Sequence, residues 1–153
     1  MTTGVGLQTD FIDAINDLIE LDYDAIGAYE SAITRLEKEE YRKKLQEFKE
    51  DHQRHIKELT AFVVGLGKEA PVAADNTKSL MAMGKVILGS LIGDRQILNA
   101  MLSNEDDTNT AYERMSRRSD ELLGSEIHKI IANGLADEIK HKTWLKSVVE
   151  ATK

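Results

Sequence analysis

The chain has 153 residues, enough for one ordinary domain and too few for two, so we expect a single domain over residues 1–153. Hydrophobic residues make up 41% and charged residues 31%, which excludes a disordered chain, and the absence of cysteine excludes disulfides and thiolate metal sites. The net charge of −7 argues against a nucleic-acid partner. The sequence shows neither a signal-peptide pattern nor the ~18 consecutive apolar residues that a membrane span needs, so we expect a cytoplasmic protein.

Four stretches carry apolar residues three and four positions apart, the spacing of amphipathic helices. The first two run from about 8 to 38 and from about 40 to 66, and the short charged break between them predicts an antiparallel hairpin. The last two run from 94 to about 118 and from about 120 or 125 to 149, with Gly124 near the turn of a second hairpin. No alternating pattern typical of a strand is present.

The connection between the second and third helices is much longer than a turn requires. It contains about 27 residues, with a loop around Pro71 and a short apolar helix predicted from Lys78 to about Ile92. Such a segment reaches roughly 55 Å, whereas a 27-residue helix is about 40 Å long. We therefore expect an all-α four-helix bundle of two antiparallel hairpins, joined by a long crossover that makes the second and third helices parallel.

Each predicted helix places ionisable residues on its otherwise apolar stripe. These residues are Asp22, His52, His55, Glu105, Glu138 and His141. Asp22 and His55 are equally distant from the first hairpin turn, and Glu105 and His141 are equally distant from a point beside Gly124. Because residues mirrored about a hairpin turn lie side by side, we expect all six groups to converge on one layer near the middle of the bundle.

Two arrangements satisfy such a layer. Burying isolated charges costs several kcal/mol each, as a rough estimate, unless the charges are paired or bind a metal. One solution is a network of His–carboxylate ion pairs that specifies helix register in a structural or interaction bundle. The other is a metal site, because imidazole and carboxylate are the ligands that iron, manganese and zinc take. Six groups contributed by four helices favour the metal site.

The spacing of these residues resembles that of the ferritin-like di-iron carboxylate superfamily. The fourth helix carries Glu138-Ile-Lys-His141, the second carries His52-Gln-Arg-His55, and the first and third carry Asp22 and Glu105, each followed by a tyrosine seven residues later (Tyr29 and Tyr112). The superfamily takes one acidic ligand from each of two helices and Glu-x-x-His from each of the other two. The chain resembles the small bacterial and rubrerythrin-like members more than it resembles the cage ferritins.

The resemblance implies a centre of two iron ions. Asp22 and Glu105 would be terminal or bridging carboxylates, Glu138 a bridge, and His55 and His141 terminal nitrogen ligands. It also implies reaction of Fe²⁺ with O₂ or peroxide, which is ferroxidase- or peroxidase-type oxidoreductase chemistry in iron handling or the response to oxidative stress. We further expect a homodimer that pairs through an exposed helix face.

Two residues depart from the superfamily pattern. Asp22 stands in place of the usual Glu, and His52 stands in place of the Glu of the first Glu-x-x-His, so three carboxylates replace four. A more nitrogen-rich set favours zinc or a single iron more than the usual site does, with manganese as a further alternative. His52 either binds a metal or points away from the centre. Asp51 lies one position off the stripe and is not expected to replace it.

The two tyrosines have two interpretations. Tyr29 and Tyr112 are either core aromatics whose hydroxyls bond to the polar layer or residues with a catalytic role in redox or proton transfer. Gly134 mirrors Tyr112 about the second hairpin turn, and we expect it to leave room for the tyrosine ring.

Overall fold

Four helices form the regular secondary structure of the computed structural model, which describes residues 3–7, 10–73, 91–118 and 124–152. They are α1 (Phe11–Arg35), α2 (Glu39–Gly65), α3 (Asp94–Arg117) and α4 (Ser125–Ala151). The described residues contain no strand, which confirms the predicted all-α class. No helix among them has the length and apolar character needed to cross a lipid bilayer.

Local sequence signals set the ends of the helices. The side chain of Asp10 caps α1 by accepting a hydrogen bond of 3.0 Å from the backbone N–H of Asp13. Gly93 and Gly124 precede α3 and α4 with φ angles of 91° and 92°, in the left-handed region that favours glycine. Asp94, at the start of α3, accepts hydrogen bonds from two backbone N–H groups in the turn between α1 and α2.

The helices pack as the two predicted hairpins. α1 packs along α2 and α3 along α4, and the hairpins meet through α1 with α3 and through α2 with α4. Asp94 lies at the end of α1, whereas Tyr112, later in α3, reaches Asp22 in the middle of α1, so these two helices are antiparallel. Because α1 is also antiparallel to α2, helices α2 and α3 run in the same direction.

The connection between α2 and α3 therefore starts and ends at opposite ends of the bundle. Asn16, near the start of α1, donates a hydrogen bond to the carbonyl of Glu69, and Arg35, at the end of α1, donates one to the carbonyl of Leu91. The short helix predicted from Lys78 to Ile92 lies outside the described residues apart from its last two, which are not helical.

Two apolar clusters fill the bundle on either side of a polar layer. One contains Ile15, Leu18, Leu59, Val63, Met115 and Ile127 among others, and the second contains Leu45, Phe48, Leu98, Met101 and Leu145 among others. The predicted ionisable residues lie between the two clusters, so a layer of charged groups is enclosed by apolar side chains that exclude water. Electrostatic interactions in such a layer are stronger than at the surface.

Candidate metal centre

The structure brings the six ionisable stripe residues together in the middle of the bundle. Every one of their side chains is buried, and His55 is the most accessible of them with a relative exposure of 3%. They form two overlapping groups of four, in each of which the potential ligand atoms lie within 4.8 Å of one another. The first group is Asp22, His52, His55 and Glu138, and the second is His52, Glu105, Glu138 and His141. Each group offers two nitrogen and two oxygen atoms and could hold a metal ion.

The first group surrounds Oδ1 of Asp22. Nδ1 of His52 lies 2.7 Å from this oxygen, and Nδ1 of His55 lies 3.4 Å from it. The same two nitrogens lie 3.4 Å and 3.6 Å from Oε1 of Glu138. Helices α1, α2 and α4 therefore all contribute to this half of the centre.

The second group shares His52 and Glu138 with the first, but it uses Nε2 of His52 and Oε2 of Glu138. Nε2 of His52 lies 3.5 Å from Oε1 of Glu105, and Nδ1 of His141 lies 3.4 Å from that oxygen and 3.5 Å from Oε2 of Glu138. His52 and Glu138 thus belong to both groups, and each presents one atom to one group and its other atom to the second.

Two atoms of the centre are left without a hydrogen-bond partner among the described residues. They are Oε1 of Glu138 and Nδ1 of His141, and both side chains are completely buried. A buried polar atom that makes no hydrogen bond costs about 1–3 kcal/mol. A bound cation would satisfy both atoms, because each lies in one of the two groups of potential ligands.

Two tyrosines hold carboxylates of the layer from the neighbouring helix. The hydroxyl of Tyr29 on α1 donates to Oε1 of Glu105 on α3, and the hydroxyl of Tyr112 on α3 donates to Oδ2 of Asp22 on α1 at 2.7 Å. Burial raises the pKa of both tyrosines well above the usual value, and the carboxylates of Glu105 and Asp22 raise it further, so both hydroxyls keep their protons.

Gly134 provides the space that the Tyr112 ring occupies, as the sequence predicts. A Cβ atom added to Gly134 would lie 2.4 Å from Cε1 of Tyr112. The ring of Tyr112 also lies 5.3 Å from the ring of His55, centroid to centroid. Because Gly134 has no side chain, the Tyr112 ring can pass close to α4 and reach the centre.

Two aspartates lie at the rim of the centre in a role that was not predicted from the sequence, as hydrogen-bond partners of its histidines. Nε2 of His141 on α4 lies 2.8 Å from Oδ2 of Asp51 on α2, and Nε2 of His55 on α2 lies 2.9 Å from Oδ2 of Asp137 on α4. These reciprocal contacts fix both imidazole rings with Nδ1 turned toward the centre. A signal was present, because Asp-x-x-x-His occurs in both helices, as Asp51 to His55 and as Asp137 to His141.

A small basic cluster lies outside these aspartates. Arg54 forms ion pairs with Asp51 and Asp137, and Lys140 lies 2.9 Å from Asp51 and 3.7 Å from Asp137. Burial raises the pKa of Asp51, but hydrogen bonds from His141 and Lys140 outweigh burial and hold the pKa below its usual range. The pKa of Asp137 is lowered in the same way, mainly by the hydrogen bond from His55. Both rim aspartates therefore remain charged acceptors for the imidazoles.

Thr108 and Asn109 on α3 also support the layer and were not selected from the sequence, because neither side chain is ionisable. The hydroxyl of Thr108 lies 2.9 Å from Oε2 of Glu105 and 3.0 Å from Oε2 of Glu138. The side-chain amide of Asn109 donates to the backbone carbonyls of the same two glutamates at 2.9 Å each, which ties α3 to α4 at this height.

The three carboxyl groups of the layer have different pKa shifts. Burial raises the pKa of Asp22 and of Glu105, but the neighbouring histidines outweigh it, so both pKa values lie below the usual ones. Burial together with the charge of Glu105 raises the pKa of Glu138 well above its usual value. Glu138 therefore binds a proton more readily than an ordinary glutamate, and a cation bound there would compete with that proton.

The three imidazoles have raised pKa values. Burial lowers the pKa of His52, but Glu138, Asp22 and Glu105 outweigh burial and raise it to about 10. Burial likewise lowers the pKa of His55 and His141, and in each case nearby carboxylates, the hydrogen-bonded rim aspartate first, reverse the shift. The carboxylates around the three imidazoles therefore favour positive charge at the centre.

Comparisons with known proteins give a family and no activity. A family model described as a domain of unknown function (DUF2383) matches residues 10–118, which is 109 of the 153 residues. The match includes Asp22, His52, His55 and Glu105, whereas Glu138 and His141 lie beyond it. A search of curated proteins and a search of solved structures found no match.

Proposed function

The chain belongs to the family of the domain of unknown function DUF2383, and from the geometry of its buried layer we propose that it is a ferritin-like protein that binds two transition-metal ions. The observation that carries this proposal is the pair of overlapping four-atom groups, each with two nitrogens and two oxygens, inside a closed apolar bundle. The unsatisfied atoms of Glu138 and His141 support it, because they occupy positions where a cation would complete their interactions.

The donor set fits metal ions of intermediate softness. Asp22 and His55 would hold one ion, and Glu105 and His141 the other, with His52 and Glu138 between them. Imidazole nitrogen and carboxylate oxygen suit iron, manganese and zinc. We propose iron, which the resemblance implies, and bound iron would supply oxidation–reduction chemistry with O₂ or peroxide.

The protein itself supplies orientation and a dry environment. Asp51 and Asp137 fix the imidazoles of His141 and His55, and such partners of ligating histidines raise their basicity and set their direction. Tyr29 and Tyr112 hold the carboxylates of Glu105 and Asp22 and keep their hydroxyl protons beside the centre. The apolar clusters on both sides limit access of water.

An anaerobic titration of chelator-treated protein with Fe²⁺ tests the proposal. We expect two equivalents bound per chain and a higher melting temperature, because a ligand present at 100 times its Kd stabilises the native state by about 2.7 kcal/mol. Admission of air should then change the near-ultraviolet absorbance. The matched control is His128→Gln, since this half-buried histidine of α4 lies outside both four-atom groups. Failure of the wild type to take up metal in stoichiometric amounts would overturn the proposal.

A second candidate function is a structural or interaction bundle that binds no metal. It is favoured by the 2.7 Å contact between His52 and Asp22 and by the raised pKa of His52, since an imidazolium already neutralises part of the layer. This function predicts the same melting temperature with and without chelator or added metal. A zinc centre is distinguished by uptake of Zn²⁺ with no absorbance change in air.

A further inference from the structure

We propose that His52 bridges the two ions, with Nδ1 bound to one and Nε2 to the other, so that the centre is linked by an imidazolate rather than by oxygen atoms alone. This inference rests on the proposed function, because it describes the same pair of metal positions. It concerns the one position at which the chain replaces the expected carboxylate with an imidazole.

The two nitrogens of His52 face different halves of the centre. Nδ1 lies 2.7 Å from Asp22 and 3.4 Å from Glu138, which belong to the first group. Nε2, on the opposite edge of the ring, lies 3.5 Å from Glu105 in the second group. The ring therefore separates the two groups and presents one nitrogen to each.

The other two imidazoles differ from His52 in this respect. His55 and His141 each bond through Nε2 to a rim aspartate, which leaves only Nδ1 for the centre. Both nitrogens of His52 instead contact carboxylates of the layer itself. Of the three histidines in the layer, His52 alone is placed to bind two ions.

Packing holds the His52 ring in this orientation. The side chain is completely buried, and the rings of Tyr29, His55 and His141 surround it with centroid separations of 5.4, 5.5 and 5.2 Å. A rotation of the ring would move Nδ1 away from Asp22 and Nε2 away from Glu105. The bridging orientation is thus present before any ion binds.

The bridge has consequences for the metal pair. The two ions would lie on opposite edges of an imidazole ring, and so farther apart than the ~3.5–4 Å typical of two-metal sites. Glu138 can span the same pair, because Oε1 faces the first group and Oε2 faces the second. When the two ions bind, the protons on Nδ1 and Nε2 of His52 are released to solvent. Neither the imidazole ring nor the metal ions change oxidation state.

Cu²⁺ is a suitable probe, because an imidazolate couples two Cu²⁺ ions magnetically. In an electron paramagnetic resonance titration of chelator-treated wild type, we expect the signal to rise up to one equivalent and to fall as the second equivalent binds. In His52→Gln the signal should keep rising, with uncoupled ions and affinity for the second ion at least tenfold weaker. The control His128→Gln should behave as the wild type does.

X-ray absorption of the Zn²⁺-loaded wild type provides a second measurement that does not depend on a variant folding. We expect imidazole scattering and no metal–metal distance below 4 Å, whereas a His52→Glu variant that binds two ions should bring them closer through carboxylate oxygens. A short metal–metal distance in the wild type, coupling that persists in His52→Gln, or uptake of only one ion would overturn the bridge. Two ions bound without the bridge leave the proposed function intact, whereas no stoichiometric metal binding overturns that function itself.

Discussion

Asp51 on α2 accepts a hydrogen bond from Nε2 of His141 on α4 at 2.8 Å, and this contact connects two helices that carry potential ligands. The contact leaves Nδ1 of His141 free of hydrogen bonds and directed at Glu105 and Glu138. Asp137 makes the equivalent contact with His55 in the opposite direction, from α4 to α2. Asp51 and Asp137 thus connect the two hairpins at the rim and also orient the imidazole rings of His141 and His55.

We expect Asp51→Asn to weaken metal binding by about 10–100-fold, because loss of a partner that orients a ligating histidine has an effect of this size. The bundle should remain folded, since the asparagine keeps the shape of the side chain. Isothermal titration of the chelator-treated protein with Zn²⁺ measures the change. Asp106→Asn is the matched control, because the exposed Asp106 carboxylate lies 2.9 Å from Nζ of Lys142 and belongs to neither four-atom group. Equal affinity in the two variants would contradict an orienting role for Asp51.

We expect Gly134→Ala to destabilise the protein, although alanine is the better helix former by about 1 kcal/mol. The new Cβ would lie 2.4 Å from Cε1 and 3.0 Å from Cδ1 of Tyr112, whose ring is buried and cannot shift freely. Overpacking of this kind typically costs about 1–3 kcal/mol. Chemical denaturation of the metal-free protein measures the loss of unfolding free energy.

Gly65→Ala is the control for this variant. Gly65 is also helical, at the end of α2, and a Cβ there would meet no atom within 4 Å. The substitution should leave the unfolding free energy unchanged or slightly higher. If Gly134→Ala were as stable as Gly65→Ala, the tyrosine ring would not need the space that the glycine provides.

The bundle could be predicted from the sequence because its signals are periodic. The helix boundaries follow from the apolar stripe, and mirror symmetry about the two turns places Asp22 beside His55 and Glu105 beside His141. Both steps use only the residues on the stripe. They predict the six ionisable residues of the layer and Gly134 opposite Tyr112, but not Thr108, whose hydroxyl contacts two of the carboxyl groups.

The rim of the centre could not be found by the same argument. Asp51 and Asp137 lie one position off the stripe, and side chains there reach the centre only because two helices from different hairpins are adjacent. The direction of the His52 ring is likewise set by packing between helices, which no pattern within one helix encodes. A repeated Asp-x-x-x-His spacing was the one available signal for the rim.

We expect Tyr29→Phe to lower the unfolding free energy of the metal-free protein by about 1.5–3 kcal/mol, the range for a hydrogen bond to a charged group. The hydroxyl of Tyr29 donates to Glu105, whose lowered pKa keeps it charged. Guanidinium denaturation measures the loss. Tyr41→Phe is the control, since the Tyr41 ring packs against Trp144 away from the centre. A loss no larger than in the control would show that Glu105 does not depend on this donor.

The stability of the metal-free protein should be greatest in mildly acidic solution. Asp22 and Glu105 have lowered pKa values, so their contribution is present above the unfolded-state values of 3.8 and 4.5 and is lost as the pH falls below them. His52 has a raised pKa, so its contribution is complete below 6.5 and is lost as the pH rises toward about 10. Glu138, whose pKa is also raised, opposes folding increasingly as the pH rises above 4.5.

Denaturation of the chelator-treated protein between pH 4 and pH 10 checks this dependence. We expect the unfolding free energy to fall on the alkaline side by up to about 1.4 kcal/mol per pH unit for each proton that the native layer retains and the unfolded chain has lost. His52→Gln should flatten this alkaline decline, because the variant has no imidazole at position 52 to retain a proton. His128→Gln should keep it, since His128 lies outside the layer. Stability that rises between pH 6.5 and pH 9 in the wild type would contradict a protonated His52 among the carboxyl groups of the metal-free centre.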